Sequence, residues 1–132
     1  MASRQGLHIL LVECDSDVLN VTTSILEHMG YTVHGETNGL AALSTFSDDP
    51  DKFDLAIIEP VMPKLMGLKL ALRLVRIRQD FPVLFYTGYL DLDLEQAIGD
   101  SGVGPTIFKP LTSWQLEEAI QQRVCRVYPL IR

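Results

Sequence analysis

The chain has 132 residues, 47% of them hydrophobic and 21% charged, with a formal net charge of −6. That length and composition suit one domain with a real core and exclude a disordered chain. The acidic balance argues against nucleic acid or an anionic membrane surface as the main ligand, since both need clustered Lys and Arg. The two cysteines, Cys14 and Cys125, form no CxxC and have no Cys/His pairing at zinc-ligand spacing, so they read as reduced thiols. Met1–Gly6 is short and polar, unlike a signal peptide, and the longest apolar runs are of strand length. The expected compartment is the cytoplasm.

Apolar runs alternate with amphipathic stretches along the chain. His8–Val12 (HILLV) is a continuous apolar run, the pattern of a parallel strand covered on both faces. The spacing predicts a helix over Asp15–Met29, with Val18, Thr22, Ile25 and Met29 on one face and Gly30 as its stop. Tyr31–Thr37 is a more polar strand, as expected at a sheet edge. Leu40, Leu43 and Phe46 mark a short second helix, broken by Asp48, Asp49, Pro50 and Asp51. Leu55–Ile58 is the third strand. Pro60 and Pro63 force a loop after it. From Gly67 the chain is helical again, with Leu68, Ala71, Leu72 and Val75 predicted on its inner face. Val83–Tyr86 is the fourth strand. Asp91 suits the cap of a fourth helix carrying Leu94, Ala97, Ile98 and Ser101. Thr106–Phe108 is a short fifth strand. Thr112 and Gln115 have capping-box spacing for a last helix, whose apolar face is Leu116, Ala119, Ile120, Val124 and Val127.

Five βα units in succession, without a linker or internal repeat, define an α/β three-layer α/β/α sandwich around a five-stranded parallel sheet. Right-handed crossovers leave few topologies, and the order 2-1-3-4-5 fits because the first and third strands are the most uniformly apolar. In such a sheet a ligand sits at the carboxyl ends of the strands beside the switch point. There the sequence places Glu13, Cys14 and Asp15 after the first strand and Glu59 after the third. Thr87 and Gly88 follow the fourth, and Lys109–Pro110 follows the fifth. Acid, acid, hydroxyl and ammonium on one rim are what a phosphoryl-accepting carboxylate needs. Oxygen ligands hold Mg2+, while a hydroxyl and an ammonium bind the phosphoryl oxygens. An acid after a strand also caps helices, and Asp15 is placed to do so.

The segments ILLVECD at 9–15, FDLAIIEPVMPKLMG at 53–67, PVLFYTGY at 82–89 and FKPLT at 108–112 resemble the receiver domain of bacterial response regulators. The resemblance runs from about His8 to Gln122 and implies a flavodoxin-like receiver fold over 7–126, with 127–132 as a tail or linker. It implies a phosphoacceptor position at Glu59, an acidic pocket of Glu13 and Asp15, and a phosphate-site switch formed by Thr87 and Lys109. Mg2+, if bound, would be held weakly by Glu13, Asp15 and Glu59. A cis Lys109–Pro110 bond is also implied. Implied partners are proteins: a sensor histidine kinase, a phosphotransfer protein or an output domain. The face made by the fourth helix, fifth strand and last helix is implied for partner contact or homodimerisation. Trp114 lies in the first turn of that last helix.

The chain departs from the family pattern at the centre of the site. The acceptor, ordinarily Asp, is Glu59. One of the paired acids is Cys14, a poor ligand for a hard cation. The acid before the loop glycine is Met66, and the usual aromatic three residues before the lysine is Thr106. Glu59 carries its carboxylate one methylene, about 1.5 Å, farther out than Asp. A misplacement of about 1 Å can cost on the order of a hundredfold in an in-line transfer. These departures favour a degenerate receiver that binds a protein partner in a fixed state, with Glu59 reaching toward Lys109. The alternative is a working Mg-dependent phospho-accepting receiver. A flavin-binding module is disfavoured, since no Ser/Thr/Gly-rich loop follows the first strand. Nothing points to an enzyme: His8, His28 and His34 lack the spacing of zinc ligands or a triad. Arg73, Arg76 and Arg78 on the third helix read as a solvated face. The apolar tail Val127–Arg132 reads as a linker to a further domain or as part of an association surface.

Overall fold

The computed structural model describes residues 6–127; the tail, and the side chain of Val127, lie outside the described residues. The strands are β1 (His8–Val12), β2 (Thr32–Glu36), β3 (Leu55–Ile58), β4 (Val83–Thr87) and β5 (Thr106–Phe108). The helices are α1 (Ser16–His28), α2 (Gly39–Asp48), α3 (Gly67–Ile77), α4 (Leu92–Ser101) and α5 (Ser113–Val127), with one 3-10 turn at Pro50–Lys52. All strand pairs are parallel and the order is β2-β1-β3-β4-β5, as the hydrophobic pattern implied.

The fully buried β3 explains that order: a strand apolar on both faces must lie between two helical layers. On one side of the sheet Leu10, Val12 and Ile58 pack with Phe46 of α2, with Leu70, Ala71 and Leu74 of α3, and with Ile98 of α4. On the other side Ile9, Leu11 and Ile57 meet Leu26 of α1 and Leu116, Ile120 and Val124 of α5. Local signals set the helix starts. Asp15 Oδ1 accepts from the backbone N–H groups of Asp17 (2.9 Å) and Val18 (3.2 Å). Asn38 caps α2 and Asp91 caps α4, each at 2.8 Å. Thr112 and Gln115 exchange the reciprocal bonds of a capping box. The Lys109–Pro110 bond is cis.

The helix faces differ from the predicted stripes in three places. On α3 the buried stripe is Leu70, Ala71 and Leu74, with Leu68 and Val75 at its borders, and Leu72 is 41% exposed. On α2 the buried residues are Gly39, Ala42 and Phe46, and Leu40 faces outward. On α4 Ala97 is exposed and Ile98 is the one buried residue. The cause is common to all three. These helices are so rich in Leu and Ala that two adjacent stripes have helical spacing, and only the docking angle on the sheet selects one.

Two glycines respond oppositely to a side chain. A Cβ on Gly104 would stand 2.1 Å from the Val83 carbonyl oxygen, whereas one on Gly99 meets nothing within 4 Å. Gly104→Ala is therefore expected to lower the thermal midpoint in calorimetry. Gly99→Ala, relieving a glycine in a helix, should raise stability by up to about 0.5–1 kcal/mol in dilute solution.

Candidate functional site

Strand register brings the polar residues together. Val12 pairs with Ile58, so the next residues, Glu13 and Glu59, emerge side by side, and Glu59 N–H donates to Val12 O at 2.9 Å. Thr87 pairs with Phe108, and Lys109 follows directly, its N–H donating to Thr87 O at 2.8 Å. Glu13, Asp15, Glu59, Thr87 and Lys109 all line one open cavity of about 400 Å³, together with Val61, Gly88 and Tyr89.

Inside that cavity Lys109 Nζ donates a short, charge-assisted hydrogen bond to Glu13 Oε1, and stands 3.5 Å from Glu59 Oε1. The expected Glu59–Lys109 contact is therefore present, but Glu13 is the closer partner. Both carboxylates are largely shielded from solvent, more so than the lysine. Their remaining oxygens are also engaged: Glu13 Oε2 accepts from Asp15 N–H at 3.2 Å, and Glu59 Oε2 accepts from Val61 N–H at 3.3 Å. Burial alone would depress the Lys109 pKa, but the hydrogen bond to Glu13 and the charges of Glu13 and Glu59 outweigh it, and the group lies above its usual value.

The other expected participants are differently occupied. Asp15 serves as the α1 cap, so one of its oxygens is directed at the helix N-terminus. Thr87 is buried, and its hydroxyl donates to Tyr89 O at 2.8 Å while accepting from Tyr89 N–H at 3.3 Å. Cys14 Sγ lies 3.9 Å from Val61 O. Burial and the neighbouring Glu13 and Glu59 carboxylates push its thiol pKa up, which disfavours the thiolate that would bind a metal. Among the described residues no three His, Cys, Asp or Glu side chains converge as a metal would need. A soft, protonated Cys14, a capping Asp15 and two carboxylates turned to an ammonium make a donor set that does not fit Mg2+.

One contributor went unnoticed in the sequence. The Tyr86 ring lies under the ammonium, 5.2 Å from Lys109 Nζ to centroid. Burial chiefly raises its phenol pKa, opposed by Lys109 and by a hydrogen bond with the Leu111 backbone. An aromatic thus does approach the lysine, from β4 and not from the Thr106 position. The signal available was an aromatic immediately before the strand-end hydroxyl in VLFYT.

The loop bearing Glu59 is held tightly. A Cβ on Gly67 would stand 2.5 Å from Glu59 O and 2.6 Å from Pro60 Cα, so the start of α3 touches the backbone of the loop after β3 directly. Gly39 meets the Leu65 backbone equally closely.

This arrangement defines a receiver domain of two-component signalling: a parallel sheet of order 2-1-3-4-5 with a carboxylate pair, a hydroxyl and a lysine at its carboxyl rim. The chain belongs to that family, matching the response regulator receiver domain model over residues 9–121. It is 36% identical over 81 residues to the response regulator receiver protein CpdR of Brucella abortus, covering 61% of this chain and 66% of CpdR. It is 31% identical over 121 residues to the two-component response regulator ARR12 of Arabidopsis thaliana, covering 92% of this chain but only 20% of ARR12. The chain thus spans a fifth to two thirds of the length of these relatives. A response regulator receiver domain protein from Clostridium thermocellum superposes with a TM-score of 0.86 at 26% identity, covering 95% of this chain and 99% of that one. No helix among the described residues is long and apolar enough to cross a membrane.

The raised Lys109 pKa gives a sign for the pH dependence. A base whose folded pKa exceeds its unfolded value contributes stability that is fully present below the unfolded value, here 10.5, and is lost as pH rises through the higher folded value. The contact therefore persists through the neutral range. Lys109→Met leaves the buried Glu13 carboxylate without its counter-charge. It should cost about 1.5–3 kcal/mol in urea unfolding at neutral pH.

Proposed function

We propose that this receiver domain acts as an interaction module held in one state by its own side chains, with Glu59 in place of a phosphorylatable aspartate. The observation that carries the reading is the placement of Lys109. Its ammonium, the group that would bind a phosphoryl oxygen, is already shared between Glu13 and Glu59. Glu59 supplies one negative charge near the lysine, against nearly two for a phosphate. Thr87 is turned to its own loop and would have to break two hydrogen bonds to reach an incoming group. A phosphoryl transfer would also have to proceed with the donor set that suits Mg2+ poorly. The site therefore favours binding over group transfer, and receiver domains are in general signalling modules.

A second reading, a phospho-accepting receiver, is favoured by one observation: Glu13, Asp15, Glu59, Thr87 and Lys109 all line the same open cavity. The two readings separate on a Phos-tag gel after acetyl phosphate and Mg2+. The wild-type chain is expected to run unshifted, as is Glu59→Asp alone. Glu59→Asp combined with Cys14→Asp restores both the acceptor and a hard ligand, and should shift. A shifted wild-type band would establish the second reading.

The partner is a protein, of the kinase, phosphotransfer or output-domain kind that receivers engage. The surface for it is the α4-β5-α5 face, where Leu92 is 81% and Trp114 71% exposed and Phe108 also reaches solvent. Large aromatics left in water are characteristic anchors of binding surfaces. Trp114→Ala is expected to weaken partner binding by about 2 kcal/mol in calorimetric titration. Because the exposed Trp114 contributes little to the core, the unfolding free energy of the variant should stay within about 0.5 kcal/mol of wild type.

A further inference from the structure

The outer face of α3 is a basic ridge. Lys69, Leu72, Arg73, Arg76 and Ile77 are exposed, on the face opposite the buried Gly67, Leu70, Ala71 and Leu74. Three of the five are cations, the helix has no acid, and Lys64 adds an exposed cation in the loop before it. None of these four cations makes an ion pair among the described residues. Arg78 is different: it is drawn into the fold, its guanidinium donating to Pro50 O at 3.1 Å and to Phe53 O. The three arginines thus do not form one solvated face. The ridge also works against its own helix. Lys69 lies in the first turn, where the dipole disfavours a cation. Lys69 and Arg73 are four residues apart and Arg73 and Arg76 three, so like charges adjoin. Among them Leu72 is 41% and Ile77 46% exposed. Acid borders the ridge on both sides. Helices α2, α3 and α4 cover one side of the sheet, with α3 in the middle because it links β3 to the adjacent β4. Asp48 and Asp49 stand at the end of α2, and α4 carries Asp93, Glu95 and Asp100 and no base.

We propose that α3 is a docking surface for an acidic amphipathic helix of a protein partner, laid along the ridge. The acids of that helix meet Lys69, Arg73 and Arg76, and its apolar positions cover Leu72 and Ile77. Seven residues separate Lys69 from Arg76, about 10 Å along the axis, so two turns of the partner reach all three cations. The contact offsets both costs that α3 carries alone, the repulsion between its cations and the opposition of Lys69 to the dipole. The acidic borders decide the shape of the occupant. A single helix is narrow enough to lie between them, whereas an anionic membrane is flat and brings its headgroups over α2 and α4, where like charge repels it. The same borders fix the position of an acidic helix on α3 by excluding it from either neighbour. This surface is separate from the α4-β5-α5 face, since it uses α3 and not Trp114, and it does not depend on the state of Glu59.

NMR titration of the isotope-labelled full chain tests it, with a synthetic amphipathic helical peptide of Leu and Glu as the probe. Saturable shifts are expected at the α3 amides and not at the Trp114 indole, with an affinity that falls as salt shortens the screening length. Arg73→Glu with Arg76→Glu should weaken binding at least about tenfold, because like charges then face each other. Leu72→Ser should weaken it roughly fivefold and leave the salt dependence unchanged, because it removes apolar contact and no charge. Lys69→Glu should lower the affinity while raising the thermal midpoint of the free chain, a pairing of effects that a merely structural lysine would not give. An absence of α3 shifts at millimolar peptide and low salt overturns the proposal. So does equally strong binding of polyglutamate, which has the charge but no apolar positions. Co-sedimentation with phosphatidylcholine–phosphatidylglycerol vesicles that the arginine reversals abolish overturns it too, and would make the ridge a membrane contact.

Discussion

The Lys109 ammonium is the one cation that the carboxyl rim of the sheet supplies among its site residues, and two carboxylates converge on it. Glu13 and Glu59 are delivered side by side by the β1–β3 register, and like charges at that distance would repel strongly in a shielded site. The lysine resolves the conflict by bonding one and standing 3.5 Å from the other. The loops after β1, β3 and β5 are thereby tied to one point. Their backbone contacts reinforce the tie: Glu59 N–H on Val12 O, Lys109 N–H on Thr87 O, and the α3 start pressed against Glu59 O through Gly67.

That constraint orders the rest of the site. With the ammonium committed to carboxylates, Thr87 turns to Tyr89 and Asp15 turns to the α1 N-terminus, each satisfying a local backbone group. Tyr86 offers its ring face to the lysine from the β4 side, which supports the ammonium without a further charge. The result is a receiver rim whose polar groups satisfy one another. On the proposed reading, a binding role is supported because Lys109 and Thr87 would each first have to give up a partner before taking part in a transfer.

The surfaces away from the rim have a different logic. The net charge of −6 conceals a sharp local separation, with cations alone on α3 and anions alone on α4. A separation of this kind adds little to the fold, since exposed charges on adjacent helices contribute weakly to stability.

Much of the fold could be read from the amino-acid order. Five apolar runs punctuated by Asp15, Gly30, Asp91 and the Thr112–Gln115 pair mark strands and helix ends, because covered parallel strands must be apolar on both faces and caps must satisfy free backbone groups. Glu13, Glu59, Thr87 and Lys109 were legible as a site for the same reason: polar residues that directly follow apolar strands all land on one rim. What needed three dimensions was whatever depends on reach and angle. Leu72 and Leu40 have the right helical spacing for the core, yet the docking of α3 and α2 on the sheet turns them outward. Tyr86 meets Lys109 only because β4 and β5 lie adjacent. That Glu13 and not Glu59, a side chain of the same length, is the closer partner of Lys109 is visible only in three dimensions. Neighbours in space, not in sequence, decide which of two equal charges an ammonium bonds.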